Sequence, residues 1–115
     1  MPYLKLNTNI SVGDDQTQPL LRQLSQLVAD GTNKPESYVM VELADKKPLI
    51  FAGTDVPLAY LECKSIGLSG RQAKSLSASL CQLLDKQLGI PPERVYIEFS
   101  NCPAEFWGWN GSTFG

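Results

Sequence analysis

The chain repeats itself, and the repeat limits its fold more than any other feature. The stretch Tyr3-Leu4-Lys5-Leu6-Asn7-Thr8 returns 57 residues later as Tyr60-Leu61-Glu62-Cys63-Lys64-Ser65. Pro35-Glu36 returns at the same offset as Pro92-Glu93, and Val39-Met40-Val41-Glu42-Leu43 returns at an offset of 56 as Val95-Tyr96-Ile97-Glu98-Phe99. Three matches in one order, at nearly one offset, predict a single domain over 1–115 built from two similar halves, about 1–57 and 58–115. Whatever one half folds into, the other must fold into as well.

Each half reads as strand, helix, strand. Residues 3–7 and 60–64 alternate apolar and polar, as half-buried strands do. Leu20, Leu21, Leu24, Leu27 and Val28 recur at helical spacing, with Gly31 placed to stop the helix and Pro35 soon after. Ala73, Leu76, Leu80, Leu83, Leu84 and Leu88 do the same in the second half, ended by Gly89 and Pro91-Pro92. Second strands are expected at 38–43 and 94–99, parallel to the first strand of each half because a long helix intervenes. Two such units make an α+β fold: a four-stranded sheet with both helices on one face. A further short strand is expected at 48–52, and Asn110-Gly111 signals a turn in the tail. The uncovered sheet face, with Tyr38, Met40, Tyr96 and Glu98 or their alternates, is expected to be too apolar to stay wet, which predicts self-association.

Histidine is absent, which excludes Ser-His-Asp and Cys-His catalysis and any His-ligated metal site. Cys63, Cys81 and Cys102 form no Cys-x-x-Cys and read as reduced thiols. A formal net charge of −2 with interspersed signs argues against nucleic acid. No apolar run is long enough for a membrane span and no leader pattern opens the chain, so the expected address is cytoplasmic. An acid–base catalyst must then be a carboxylate, Lys, Tyr, Cys or the chain's own amine. Pro2 makes that last choice concrete. Proline is a small residue, and methionine is commonly trimmed before small residues, which would leave a free secondary amine. Lys34, in the loop before the second strand, is a candidate anion clamp. Gly67 and Gly70 around Ile66-Gly67-Leu68 would let backbone approach a ligand at a helix start. Tyr96, Trp107 and Trp109 taken alone read as core or interface aromatics.

Together these residues resemble the macrophage migration inhibitory factor family of the tautomerase superfamily. The resemblance runs nearly end to end and rests on Pro2, Asn7-Thr8-Asn9, Lys34-Pro35 before Tyr38, Ser65-Ile66-Gly67, Arg94-Val95-Tyr96-Ile97 and the closing Gly108-Trp109-Asn110-Gly111-Ser112-Thr113-Phe114-Gly115. It implies a homotrimer with the fold described and a keto–enol tautomerase without metal or organic cofactor. Carried over by position, Pro2 would be the base, and Lys34 and the Ile66 amide would hold the substrate carboxylate or enolate. Tyr96 would come from a neighbouring subunit, and Tyr38, Trp109 and Phe114 would form the aromatic wall. The implied substrates are aromatic keto acids such as phenylpyruvate and 4-hydroxyphenylpyruvate, and dopachrome derivatives. Four positions depart from mammalian members. Leu58 and Leu61 stand where those carry Cys-x-x-Cys, so no thiol–disulfide exchange is expected. Glu98 replaces an Asn and Trp107 a small aliphatic, and both would alter substrate rank. The family also implies a second reading, a non-classically secreted, cytokine-like receptor ligand with a weak or vestigial site. A third is a trimeric small-molecule binder without turnover.

Overall fold

The computed structural model describes residues 1–115. In chain order it forms β1 (Tyr3–Thr8), α1 (Asp14–Thr32), β2 (Met40–Ala44), β3 (Ala59–Ser65), α2 (Gly70–Leu88) and β4 (Val95–Asn101). A hairpin of β5 (Gly108–Trp109) and β6 (Ser112–Thr113) closes the chain. The sheet order is β2-β1-β3-β4. Each half pairs its own two strands in parallel, and the halves join through an antiparallel β1–β3 seam. Short 3₁₀ turns at Glu36–Tyr38 and Pro92–Arg94 occupy equivalent places before β2 and β4.

The seam puts both helices on one side. Leu4 and Leu6 from β1 and Leu61 and Cys63 from β3 are fully buried beneath Leu24 and Val28 of α1 and Leu76, Leu80 and Leu84 of α2. Burial pushes the Cys63 thiol up to about 11, which keeps it protonated and inert near neutral pH. Local chemistry sets the helix ends. Ser69 Oγ accepts from the Gln72 N–H at 3.1 Å while Gln72 Oε1 accepts from the Ser69 N–H at 3.0 Å, a reciprocal cap on α2. Left-handed residues, Asn33 and Gly89, stop α1 and α2.

Three expectations need correction. Gly31 does not stop α1; it lies inside the last turn, where a Cβ would fall 2.3 Å from Leu76 Cδ2. Its missing side chain lets α1 approach α2, a requirement of packing and not of capping. Residues 48–52 form no regular strand. Phe51 and Thr54 instead close a tight turn through reciprocal backbone hydrogen bonds of 2.9 and 3.1 Å, and no strand of the same chain lies alongside. Arg94 clamps this turn by donating to the carbonyls of Phe51, Thr54 and Val56 at 2.6, 3.1 and 2.9 Å. The third correction concerns the open sheet face. Tyr38 is not on it, since it ends a 3₁₀ turn before β2 begins. The face is also less apolar than expected. Its central row, read across the register, is Glu42, Lys5, Glu62 and Glu98, between a row of Met40, Tyr3, Lys64 and Ser100 and a row of Ala44, Asn7, Tyr60 and Tyr96.

Gly31→Ala tests the helix contact. Overpacking against Leu76 costs roughly 1–3 kcal/mol, against a helix-propensity gain of about 1 kcal/mol. The expected outcome in chemical denaturation is a net loss on the order of 1 kcal/mol that disappears in a Leu76→Ala background. Equal costs in both backgrounds would refute the contact.

Candidate active site

The seam also makes β1 an interior strand, so the start of the chain emerges in the middle of the sheet's end. Pro2 directly precedes β1 and is completely buried. Its carbonyl accepts from the Met40 N–H at 3.0 Å, which ties it to the start of β2. A hollow of about 340 Å³ opens there. Met1, Pro2 and Tyr3 line one side, Ser37 to Met40 a second, and Trp107, Gly108, Trp109 and Phe114 a third.

The tail earns its place by a turn. Asn110 and Gly111 both take positive φ, 51° and 79°, which reverses the chain between β5 and β6. The Phe114 N–H then donates to the Trp107 carbonyl at 3.2 Å. Trp109 and Phe114 stack with centroids 5.7 Å apart, and Tyr38 meets them edge-on at 5.8 and 5.9 Å. Three aromatic rings drawn from distant sequence positions thus form one wall. A larger hollow of about 550 Å³ lies between the helices, among residues such as Asp30, Ser75, Gln82 and Lys86. It is an open groove without aromatic walls, and the smaller hollow has the features of a ligand site: apolar walls and a few converging polar groups.

The electrostatics single out the chain's own amine. The Met1 ammonium is held below the usual α-amino range, first by partial burial and second by the positive charge of Lys34. Lys34 follows the left-handed Asn33 at the end of α1, and its N–H donates to the Ala29 carbonyl at 3.1 Å. Tyr3 offers no competing base. Its hydroxyl donates to Glu42 Oε1 at 2.5 Å, and that bond, with burial and the charges of Glu42 and Glu62, pushes the phenol up to about 12. Ile66 lies one residue beyond β3, two residues after Lys64, whose register partner is Tyr3. Its N–H donates to no group of the chain.

The structure therefore brings Pro2, Tyr38, Trp107, Trp109 and Phe114 around one hollow, with Lys34 near enough to act on the amine. It leaves Ile66, Tyr96 and Glu98 outside the lining. Tyr96 is level with Asn7 through Tyr60, five residues along the strand from Pro2, about 16 Å, and two strands across. Glu98 sits in the central row of the open face. Tyr96 is nonetheless held in place, its ring 4.6 Å from that of Phe51, over which the Arg94 guanidinium lies at 5.1 Å. Sequence reading missed Tyr3, Ser37 and Met40 as lining residues. The signal lay in the register, because a parallel β1–β2 pair beginning at Tyr3 and Met40 must bring residues 37–40 beside the chain start.

Comparison with known proteins agrees with this geometry. A family model described as macrophage migration inhibitory factor matches residues 1–115. The macrophage migration inhibitory factor of Mus musculus is 38% identical, covering 99% of each chain. The homolog from Trichinella spiralis is 40% identical over 99% of this chain and 100% of its own length. Among solved structures, the homologue from Prochlorococcus marinus superposes with a TM-score of 0.93 at 40% identity, covering 98% of this chain and 99% of that one. Sequence and fold agree over nearly the whole chain, and the chain belongs to the macrophage migration inhibitory factor family.

Proposed function

We propose that this chain is a keto–enol tautomerase for aromatic α-keto acids of the phenylpyruvate and 4-hydroxyphenylpyruvate type, extending to dopachrome derivatives, with Pro2 as its general base. The observation that carries the reading is a chain start buried against an aromatic wall with its amine held below the normal range. Removal of Met1 would move the free amine onto Pro2 and clear a side chain from the hollow. A secondary amine is intrinsically a stronger base than a primary one, so it needs lowering to be unprotonated near neutral pH. The same two influences, an apolar surround and the Lys34 charge, act in that direction.

In the proposed reaction the substrate ring packs among Tyr38, Trp107, Trp109 and Phe114. Its carboxylate meets Lys34 and the unpaired Ile66 N–H. Pro2 nitrogen takes a proton from the carbon next to the keto group, and the electron pair moves through the new C=C bond onto the keto oxygen. The proton is then delivered to that oxygen, giving the enol; ketonisation runs the steps backwards. Nothing is oxidised and no group leaves, so a base and an anion-stabilising surround suffice. Assembly as a homotrimer would bring Tyr96 of a neighbouring subunit, with Glu98 beside it, to the open side of the hollow.

Pro2→Gly is expected to lower kcat/KM for phenylpyruvate by roughly 100-fold or more, the scale of a lost general base. A form that retains Met1 should be similarly impaired, because its amine is displaced by one residue, about 3.8 Å. Undiminished rates in both forms would overturn the assignment. Lys34→Ala should do two things. Loss of the carboxylate contact raises KM. Loss of the repelling charge raises the amine's pKa, so the acid limb of the kcat/KM profile, where activity grows as the base loses its proton, moves to higher pH. A limb that stays put or moves down would contradict the electrostatic role of Lys34.

A further inference from the structure

The Ile66 N–H is aimed by its neighbours. Ser65 ends β3, and its carbonyl accepts from the Cys102 N–H, on the β4 side, at 2.9 Å. In a trans peptide the N–H points opposite to the carbonyl, and the chain has no cis bond. The Ile66 N–H shares a peptide with that carbonyl, so it is directed away from β4 and toward the β1 side. There the register that pairs Tyr3 with Lys64, continued past β1, sets Ser65 opposite Pro2 and Ile66 opposite Met1. The N–H thus stands level with the chain start, without a backbone acceptor.

The next peptide has no strand partner. Gly67 takes a φ of 74°, and nothing lies within 4 Å of where a Cβ on it would stand. Packing does not lock that position, and glycine passes easily between positive and negative φ. One hydrogen bond holds it: the Gly67 N–H donates to Asn101 Oδ1 at 2.9 Å. Asn101 ends β4, opposite Ser65. The first half carries the same device. At the offset of 56 Asn101 corresponds to Asp45, just past β2, whose Oδ2 accepts from the Val12 N–H at 2.9 Å. In each half a side chain at the end of the second strand braces the loop that follows the first.

We propose that Asn101 is a positioning residue of the anion site: its amide oxygen fixes the 66–67 loop so that the Ile66 N–H is presented to a ligand carboxylate beside the chain start. This deepens the tautomerase reading, from which it takes the carboxylate contact. Without the tether the loop samples other arrangements, and apparent affinity falls with the fraction that still presents the N–H. The carboxylate is held alike in bound substrate and in transition state, so the loss raises KM and spares kcat. Asn101 is uncharged, so its removal leaves the acid limb of the pH profile in place, unlike Lys34→Ala.

The test compares wild type, Asn101→Ala and Asn101→Asp. Asn101→Ala should raise KM for phenylpyruvate about fivefold, the scale of one hydrogen bond, with kcat and the acid limb unchanged. Asn101→Asp keeps an acceptor for the Gly67 N–H. In high salt, which screens its charge, it should bring KM within about twofold of wild type in the same salt. Quenching of tryptophan fluorescence by 3-phenylpropanoate and by the uncharged 3-phenylpropan-1-ol gives a readout without turnover. Asn101→Ala should weaken the carboxylate about fivefold and the alcohol by less than about twofold. Equal effects on both ligands, no effect on either, or a fall in kcat alone would overturn the positioning role. So would Asn101→Asp matching Asn101→Ala in high salt. If the carboxylate-selective loss appears while no form turns over phenylpyruvate, the positioning role stands and the tautomerase reading falls. If it is absent while wild type turns over phenylpyruvate and Pro2→Gly does not, the reverse holds.

Discussion

The antiparallel β1–β3 seam is the constraint on which the rest of the molecule depends. Two βαβ units could lie side by side in several ways. Pairing β1 with β3 makes both first strands interior and both second strands outer. It also aligns Leu4 with Cys63 and Leu6 with Leu61, so a single apolar layer receives both helices. A slip of one residue would turn those side chains to the open face and bring Lys5 or Glu62 beneath the helices. The register that builds the core therefore also centres the chain start, because only an interior first strand can end between two neighbours that wall it in.

The repeat explains what the halves share, and its differences explain the site. Tyr3 pairs with Met40 as Tyr60 pairs with Tyr96, so the two units superpose strand on strand. Residues at matching places then take opposite tasks. Pro2 corresponds to Ala59, which is internal, fully buried and unable to supply an amine. Tyr38 corresponds to Arg94. The first turns its ring toward Trp109 and Phe114; the second spends its guanidinium on the carbonyls of the 51–56 turn. One scaffold carries a pocket at one end of β1 and a braced aromatic pair at the edge of β4.

Much of this was legible in the sequence. Periodicity gave the four strands and two helices, because amphipathic patterns report burial on one face. Asn110-Gly111 gave the tail hairpin, because few other pairs accept two positive φ values. Legibility failed where the cause was tertiary. Gly31 carries the local signature of a helix stop, yet its reason is Leu76 on the other helix. Residues 48–52 have strand-like composition, but a strand needs an edge to pair with, and the chain offers none there. Tyr38 continues the alternation of β2 by one residue, and only the 3₁₀ turn swings it off the sheet. The family resemblance named the lining residues that composition left as ordinary aromatics. It could not say that Asn101 would brace the loop after β3, because that depends on where Ser65 and Asn101 fall in the register.

The placement of Tyr96 bears on how the site is completed. An aromatic side chain on an outer strand would ordinarily be free to move, and fixing it costs entropy. Here it packs on Phe51, whose own turn is fixed by Arg94 through three carbonyls and through the ring face. Yet two-thirds of Tyr96 remains exposed, as does nearly three-quarters of Ile50 on the same turn. Bracing a wet aromatic brings a lone chain little, since the bracing buries only part of the ring. It brings more if a second copy docks there and receives a pre-oriented ring, because the ordering cost is then met before association. The polar central row of the open face is compatible with such docking: contact would fall on the turn and the outer strand, and the row of Glu42, Lys5, Glu62 and Glu98 would not need to be covered. The exposed apolar side chains Tyr96 and Ile50 thus lie on the outer strand and the turn beside it, and not in the central row of the face.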